Sequence, residues 1–268
     1  MDIERFRKII RYSDTNRESI EIKIKQFYSF IGMSSDKEVL NIMQIVRPSF
    51  RKKGYFIFEI PFADKEIGAL CYKGDALGYI VLNTSLPKVN VNFAICHELY
   101  HVFYQKSNFK TKVEFVNEHY YDNEEELAAN LFAGMLLMPE TSFCFMYHKF
   151  KEESKGNETD TLIRLMNYYQ VPYMAVLIRC YEFGLLESDR VSEELLNIEQ
   201  DKIRKRFVDL WLDDSILDAT KKDDYIHLKE MITQFGNDYI KDSYLNERTL
   251  KKVIQNMQVL YAEIKGKE

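Results

Sequence analysis

The segment Phe93-Ala94-Ile95-Cys96-His97-Glu98-Leu99-Tyr100-His101 decides how the rest of the chain is read. It has no Gly or Pro, and neither do the residues that follow as far as Gln105. It is expected to be a helix starting near Asn92, with Asn90 or Asn92 as its cap. Helical positions four apart project from one face about 6 Å apart, so the imidazoles of His97 and His101 can reach a single ion. Zinc accepts neutral imidazole and carboxylate ligands, and a catalytic zinc site keeps a fourth position for water. Glu98, beside the first histidine, can take the proton of that water, whose pKa the metal lowers. The bland alternative is a pair of histidines hydrogen-bonded inside an amphipathic helix, which is how a lone histidine would be read. Cys96 cannot join His97 on one ion, because adjacent helical positions diverge by about 100°.

A third ligand is required, and the next apolar block offers one. A second helix is expected from about Asn123 to Met138, ended by Pro139. On it Glu126, Ala129, Asn130, Ala133 and Leu137 share a face. Apart from the carboxylate that face is lined by small residues, which let one helix approach another closely. Glu126 is therefore read as the third ligand. Asn130, one turn on, can accept a hydrogen bond from the outer nitrogen of a liganding imidazole and fix its tautomer. Glu124 and Glu125 are competitors for the ligand role, and both are read as a solvated acidic first turn that favours the helix dipole.

These blocks resemble the ImmA/IrrE family of zinc metallopeptidases. The resemblance rests on Gly78-Tyr79-Ile80-Val81-Leu82-Asn83, on Phe93 to His101, and on Glu126-Leu127-Ala128-Ala129-Asn130-Leu131-Phe132-Ala133-Gly134-Met135-Leu136-Leu137-Met138-Pro139. It covers roughly residues 50–150. It implies a compact zincin-like α+β domain, with His97, His101 and Glu126 as zinc ligands and Glu98 as general base. It also implies a substrate class, a partner transcriptional repressor of helix-turn-helix type. Tyr100 departs from the pattern, since the family usually has Gly there, and a ring beside the second ligand is expected to narrow the cleft. Manganese suits the same ligand set.

Around this centre the chain reads as α+β followed by helix. Residues 4–48 carry helical periodicity that Pro48 is expected to stop. Tyr55 to Ile60, Ile67 to Tyr72 and Tyr79 to Asn83 are short, β-branched and aromatic, and are expected to form three antiparallel strands. The last of them is expected to offer an edge for an extended substrate. Asn108 to Asp122 reads as a polar connection. Glu152 to Asn157 reads as a linker between a metallopeptidase domain over residues 1–150 and a helical region over 158–268.

Other residues carry weaker signals. His119, Tyr120, Tyr121 and His148 are candidates to stabilise an oxyanion, against ordinary surface or packing roles. Thr161 to Leu186 has the outline of a DNA-reading helix-turn-helix. Its second helix, however, offers only Arg179 and Glu182 as charged side chains, which favours packing or docking of a repressor. Lys202, Arg204, Lys205 and Arg206 are offset by Glu199, Asp201 and Asp209 and read as a solvated face, and His227 reads as solvated too.

Composition sets the outer bounds. The chain has 268 residues, 46% of them hydrophobic, enough for a sizeable core. A net charge of −5 excludes binding of nucleic acid by bulk electrostatics. No apolar run approaches the roughly 20 residues of a membrane span, and MDIERFRKII lacks the features of a secretory signal. Cys71, Cys96, Cys144 and Cys180 contain no C-x-x-C pair and read as reduced thiols, so a cytoplasmic protein is expected. The functional expectation is a zinc endopeptidase that inactivates a repressor by cutting it. The alternative is a metal-holding regulator that binds its repressor without cleavage.

Overall fold

The computed structural model describes residues 1–33, 43–73, 78–105, 112–115, 123–186 and 192–266. The architecture is α+β, as expected. Helix α1 (Ile3–Ile31) and helix α2 (Met43–Lys52) lead into strands β1 (Tyr55–Ile60), β2 (Ile67–Lys73) and β3 (Gly78–Asn83). Helix α3 (Lys88–Tyr104), strand β4 (Lys112–Phe115) and helix α4 (Glu124–Leu137) follow. Pro48 lies inside α2 and does not stop it. The helix runs on past the proline because Val46 and Phe50, both fully buried, seat that turn in the core.

The sheet is mixed and has the order β1-β3-β2-β4. β3 pairs with β2 in antiparallel fashion but with β1 in parallel, which corrects the antiparallel expectation. β3 is therefore interior, flanked on both sides, and cannot be an edge for substrate. The fourth strand falls within the stretch read as a polar connection and pairs with β2. One buried side chain organises the crossover that separates β1 from β2. Asn83 accepts from the backbone N–H groups of Phe62 and Ser85 at 3.0 and 2.9 Å. Its amide nitrogen donates to the carbonyls of Asp64 and Ile67 at 2.9 and 2.7 Å. Gly78 stands opposite Tyr55 in the parallel pair, where a β-carbon would fall 2.2 Å from the tyrosine ring.

Helix α3 starts four residues earlier than expected, with Pro87 as cap residue and Asn90 and Asn92 inside it. The reason is a long-range contact. The N–H of Lys88 finds its acceptor in the carbonyl of Asp218, 3.0 Å away, so no side-chain cap is needed there.

Helices α5 (Glu140–Glu153), α6 (Glu158–Tyr169), α7 (Tyr173–Glu182), α8 (Glu193–Leu196) and α9 (Gln200–Asp209) follow. Glu152 and Glu153 end α5, and the supposed linker is a tight turn. A continuous core runs from Phe6 through the inner face of the sheet to Phe207 and Ile216. A short 3-10 turn, Asp214–Leu217, precedes the last helices, α10 (Tyr225–Lys241) and α11 (Glu247–Lys265). Leu228, Met231, Tyr261 and Ile264 from these two cover the outer face of the sheet at Phe58, Ile60 and Val81. No single helix among the described residues is long and apolar enough to cross a membrane.

Between sheet and tail lies a charged latch. Glu59, 7% exposed, receives Arg47 Nη2 at 2.9 Å and Lys222 Nζ at 2.5 Å. Its backbone N–H donates to Asp224 Oδ2, and its carbonyl accepts from the Asp224 N–H. Burial alone would raise the Glu59 pKa, but the bond from Lys222 and the charge of Arg47 outweigh it and hold the carboxyl below its usual range. A carboxyl depressed in the folded state adds stability above its unfolded pKa of about 4.3, and that stability drains away as pH falls toward the folded value. Glu59→Gln is therefore expected to be destabilised at pH 7 and to lose less than the parent chain between pH 5 and 3. Urea titrations across that range measure the difference.

Candidate metal centre

The two helices that the sequence singles out pack directly against each other. Ala129 and Ala133 of α4 are fully buried, and α4 packs along α3. α4 begins where expected, the side chain of Asn123 accepting from the N–H of Glu125 at 3.0 Å. Its first turn thus delivers Glu126 to the middle of α3.

Three donor atoms meet there. His97 Nε2 and His101 Nε2 are 2.9 Å apart, and Glu126 Oε2 is 3.1 Å from the first and 3.7 Å from the second. Ligands about 2.0–2.1 Å from one ion at tetrahedral angles stand about 3.3 Å from each other. The three observed separations bracket that value. Both histidines are at most 1% exposed.

The outer nitrogens show why a cation fits. His97 Nδ1 lies 2.8 Å from Asn130 Oδ1, and His101 Nδ1 lies 2.7 Å from Gln105 Oε1. A carboxamide oxygen only accepts, so each Nδ1 carries its ring's proton and each Nε2 turns a lone pair inward. Two inward lone pairs and a carboxylate are mutually repulsive unless a positive charge sits among them. Burial alone would raise the pKa of Glu126, but the two neighbouring imidazoles outweigh it and hold its carboxyl far below the usual range. The group is an anion ready to ligate. Among the described residues, the three side chains form a group able to hold a metal ion, and their ligand atoms all lie within 4.8 Å of one another.

Glu98 is 1% exposed, and neither of its carboxylate oxygens has a hydrogen-bond partner among the described residues. A buried carboxylate without partners is costly and uncommon in a folded protein. It is the oxygen pair expected beside a reacting water.

Tyr100 lies beside the second ligand and is buried. Its ring is 4% exposed and packs between α1 and α4, 5.8 Å from the ring of Phe132 and edge-on to His101. Lys23 of α1 donates to its hydroxyl at 3.3 Å. Burial, then the nearby Glu125 carboxylate, pushes the phenol up so that it stays protonated. Glu124 is exposed as expected, whereas Glu125 is half-buried toward Tyr100. Cys96 is fully buried, and that burial pushes its thiol up, in keeping with a packing role.

His148 is exposed on α5 with its ring against Tyr147, and it is not part of the three-residue group. His119, Tyr120 and Tyr121 lie outside the described residues. α6 and α7 are two short helices joined by a turn, and the two charged side chains of α7 face inward. Arg179 is 2% exposed, bonds Glu182, and donates to the carbonyl of Met138 at 3.1 Å. Three of the four basic side chains of α9 are engaged as well: Lys202 with Glu194, Arg204 with Asp214 and Asp218, and Arg206 with Asp160 and Asp209.

One contributor was not foreseen. Gln105 stands four residues beyond His101, the same spacing that relates the two histidines, and that regularity was the available signal.

Residues 50–181 match the family model described as the IrrE N-terminal-like domain (Peptidase M78). The matched span opens within α2 and closes within α7. No curated protein matches the chain.

Proposed function

Since residues 50–181 are an IrrE N-terminal-like domain of the ImmA/IrrE family, we propose that this chain is a zinc-dependent endopeptidase whose substrate is a DNA-binding repressor of helix-turn-helix type. The observation that carries the proposal is the convergence of His97, His101 and Glu126 on one point, with the carboxylate of Glu98, unpartnered among the described residues, on the helix of the two histidines.

A divalent ion held by these three residues supplies Lewis-acid polarisation of a carbonyl and makes a water molecule acidic near neutral pH. The protein's own groups do the rest. Glu98 takes the proton of the attacking water, and it delivers that proton to the nitrogen of the leaving amine as the peptide bond breaks. Asn130 and Gln105 keep the two imidazoles in the ligating tautomer throughout. Burial of both rings keeps competing water away from their inner nitrogens. Zinc suits two imidazoles and a carboxylate, and manganese is accommodated by the same set. Among the described residues no disulfide joins Cys71, Cys96, Cys144 and Cys180, which is in keeping with the proposed cytoplasmic location.

The test is direct. The purified chain is incubated with a candidate repressor, with zinc and after stripping by a chelator, and the products are read by mass spectrometry. Discrete fragments with metal, and intact repressor without it, are expected. A repressor left whole under both conditions but still released from its operator would instead favour a regulator that binds without cutting.

A further inference from the structure

Gln105 lies where α3 gives way to extended backbone, one turn past His101. Among the described residues, two contacts meet on it. Its side-chain oxygen is 2.7 Å from His101 Nδ1, and its main-chain carbonyl accepts from Lys73 Nζ at 3.2 Å. Lys73 closes strand β2. The backbone of Gln105 is thus tied to the sheet while its carboxamide rests on the imidazole. A surface side chain at a fraying helix end would have neither constraint.

A neutral imidazole has one proton and two places for it, and only the Nδ1–H tautomer leaves Nε2 free to ligate. His101 is completely buried, so bulk water cannot select the tautomer and a neighbouring side chain must. From this geometry we infer that Gln105 is a positioning residue: it holds the Nδ1 proton of His101 and so aims the Nε2 lone pair at the point shared with His97 and Glu126. The inference rests on the metal reading of the site given above. It pairs Gln105 with Asn130, which meets His97 Nδ1 at 2.8 Å. Both acceptors are neutral amides. They fix the protons without adding charge to a pocket that already contains the carboxylates of Glu98 and Glu126.

Zinc affinity of the full chain, measured by competition with a chromogenic chelator, tests this with two substitutions. Gln105→Leu removes the carboxamide acceptor and leaves an apolar side chain one atom shorter. It is expected to weaken zinc binding by about 10- to 100-fold, the usual cost of losing such a partner. Gln105→Glu keeps an acceptor and is expected to bind at least as tightly as the parent. Thermal unfolding of the metal-free proteins, run alongside, is expected to stay cooperative for all three and to fall in Gln105→Leu only by the cost of one unmet buried donor. Parent-like affinity in Gln105→Leu overturns the inference alone. So does a Gln105→Glu variant as weak as Gln105→Leu, because the acceptor would then be irrelevant. A parent chain that takes up no divalent ion overturns the metal reading and this inference with it.

Discussion

Replacing Glu98 by Gln is expected to lower turnover by about 10²- to 10⁴-fold, the range that general acid–base groups contribute, with metal content unchanged. The substitution preserves shape and removes only the capacity to accept a proton. None of the three converging donor atoms belongs to residue 98. The expectation is sharpened by the state of the native carboxylate, which is buried with neither oxygen engaged among the described residues. A buried carboxyl group without partners costs stability, which is in keeping with a functional role for it. The measurement pairs elemental analysis of bound metal with kcat/KM on the cleaved repressor or a peptide spanning its cut site. A variant that retains full metal and full turnover would remove Glu98 from the chemistry. A variant that still inactivates the repressor without cutting it would establish the binding-only alternative.

Arg179→Met is expected to destabilise the fold by about 3–5 kcal/mol, the usual cost of stranding one partner of a buried ion pair. The guanidinium sits 4.1 Å from the centroid of the Phe183 ring and bonds both Glu182 and the carbonyl of Met138, the residue that ends α4. Its loss leaves the Glu182 carboxylate, with a side chain 2% exposed, without its cation and leaves a helix-end carbonyl unpaired. The double variant Arg179→Met/Glu182→Leu removes charge from both sides and is expected to recover most of the loss, because an apolar pair of similar volume avoids the desolvation cost. Urea unfolding followed by circular dichroism gives both values, and the cycle isolates the coupling. A single variant losing less than about 1 kcal/mol would show that the pair is not a buried strut.

How much of this was legible depended on how local the determining contacts are. The pentad from His97 to His101 and the small-residue face around Glu126 are helix-periodic patterns, and the structure brings all three ligand candidates together as that periodicity requires. Asn130 was likewise readable from its one-turn offset. Strand identity was legible from β-branched and aromatic runs, but strand order was not. The parallel pairing of β1 with β3 depends on Asn83 holding a crossover whose acceptors and donors lie 16 to 21 residues away. The start of α3 was missed because its first N–H is satisfied by Asp218, a contact without any local trace. Pro48 misled because a helix-breaking residue was outweighed by two buried neighbours. The position of Tyr100 beside a ligand was visible, whereas the contact of its hydroxyl with Lys23 of α1 has no local trace.

The carbonyl of Asp218 on Lys88 and the hydroxyl of Thr84 on the carbonyl of Lys222 bear on how shortened versions of this chain should be interpreted. Both tether the entrance of the helix carrying the histidines to residues well past the boundary of the matched domain. Amputating everything after residue 181 would set that entrance adrift and wet the aromatic side of the strands. An inert fragment would then testify to lost scaffolding rather than to any separate duty of the distal helices.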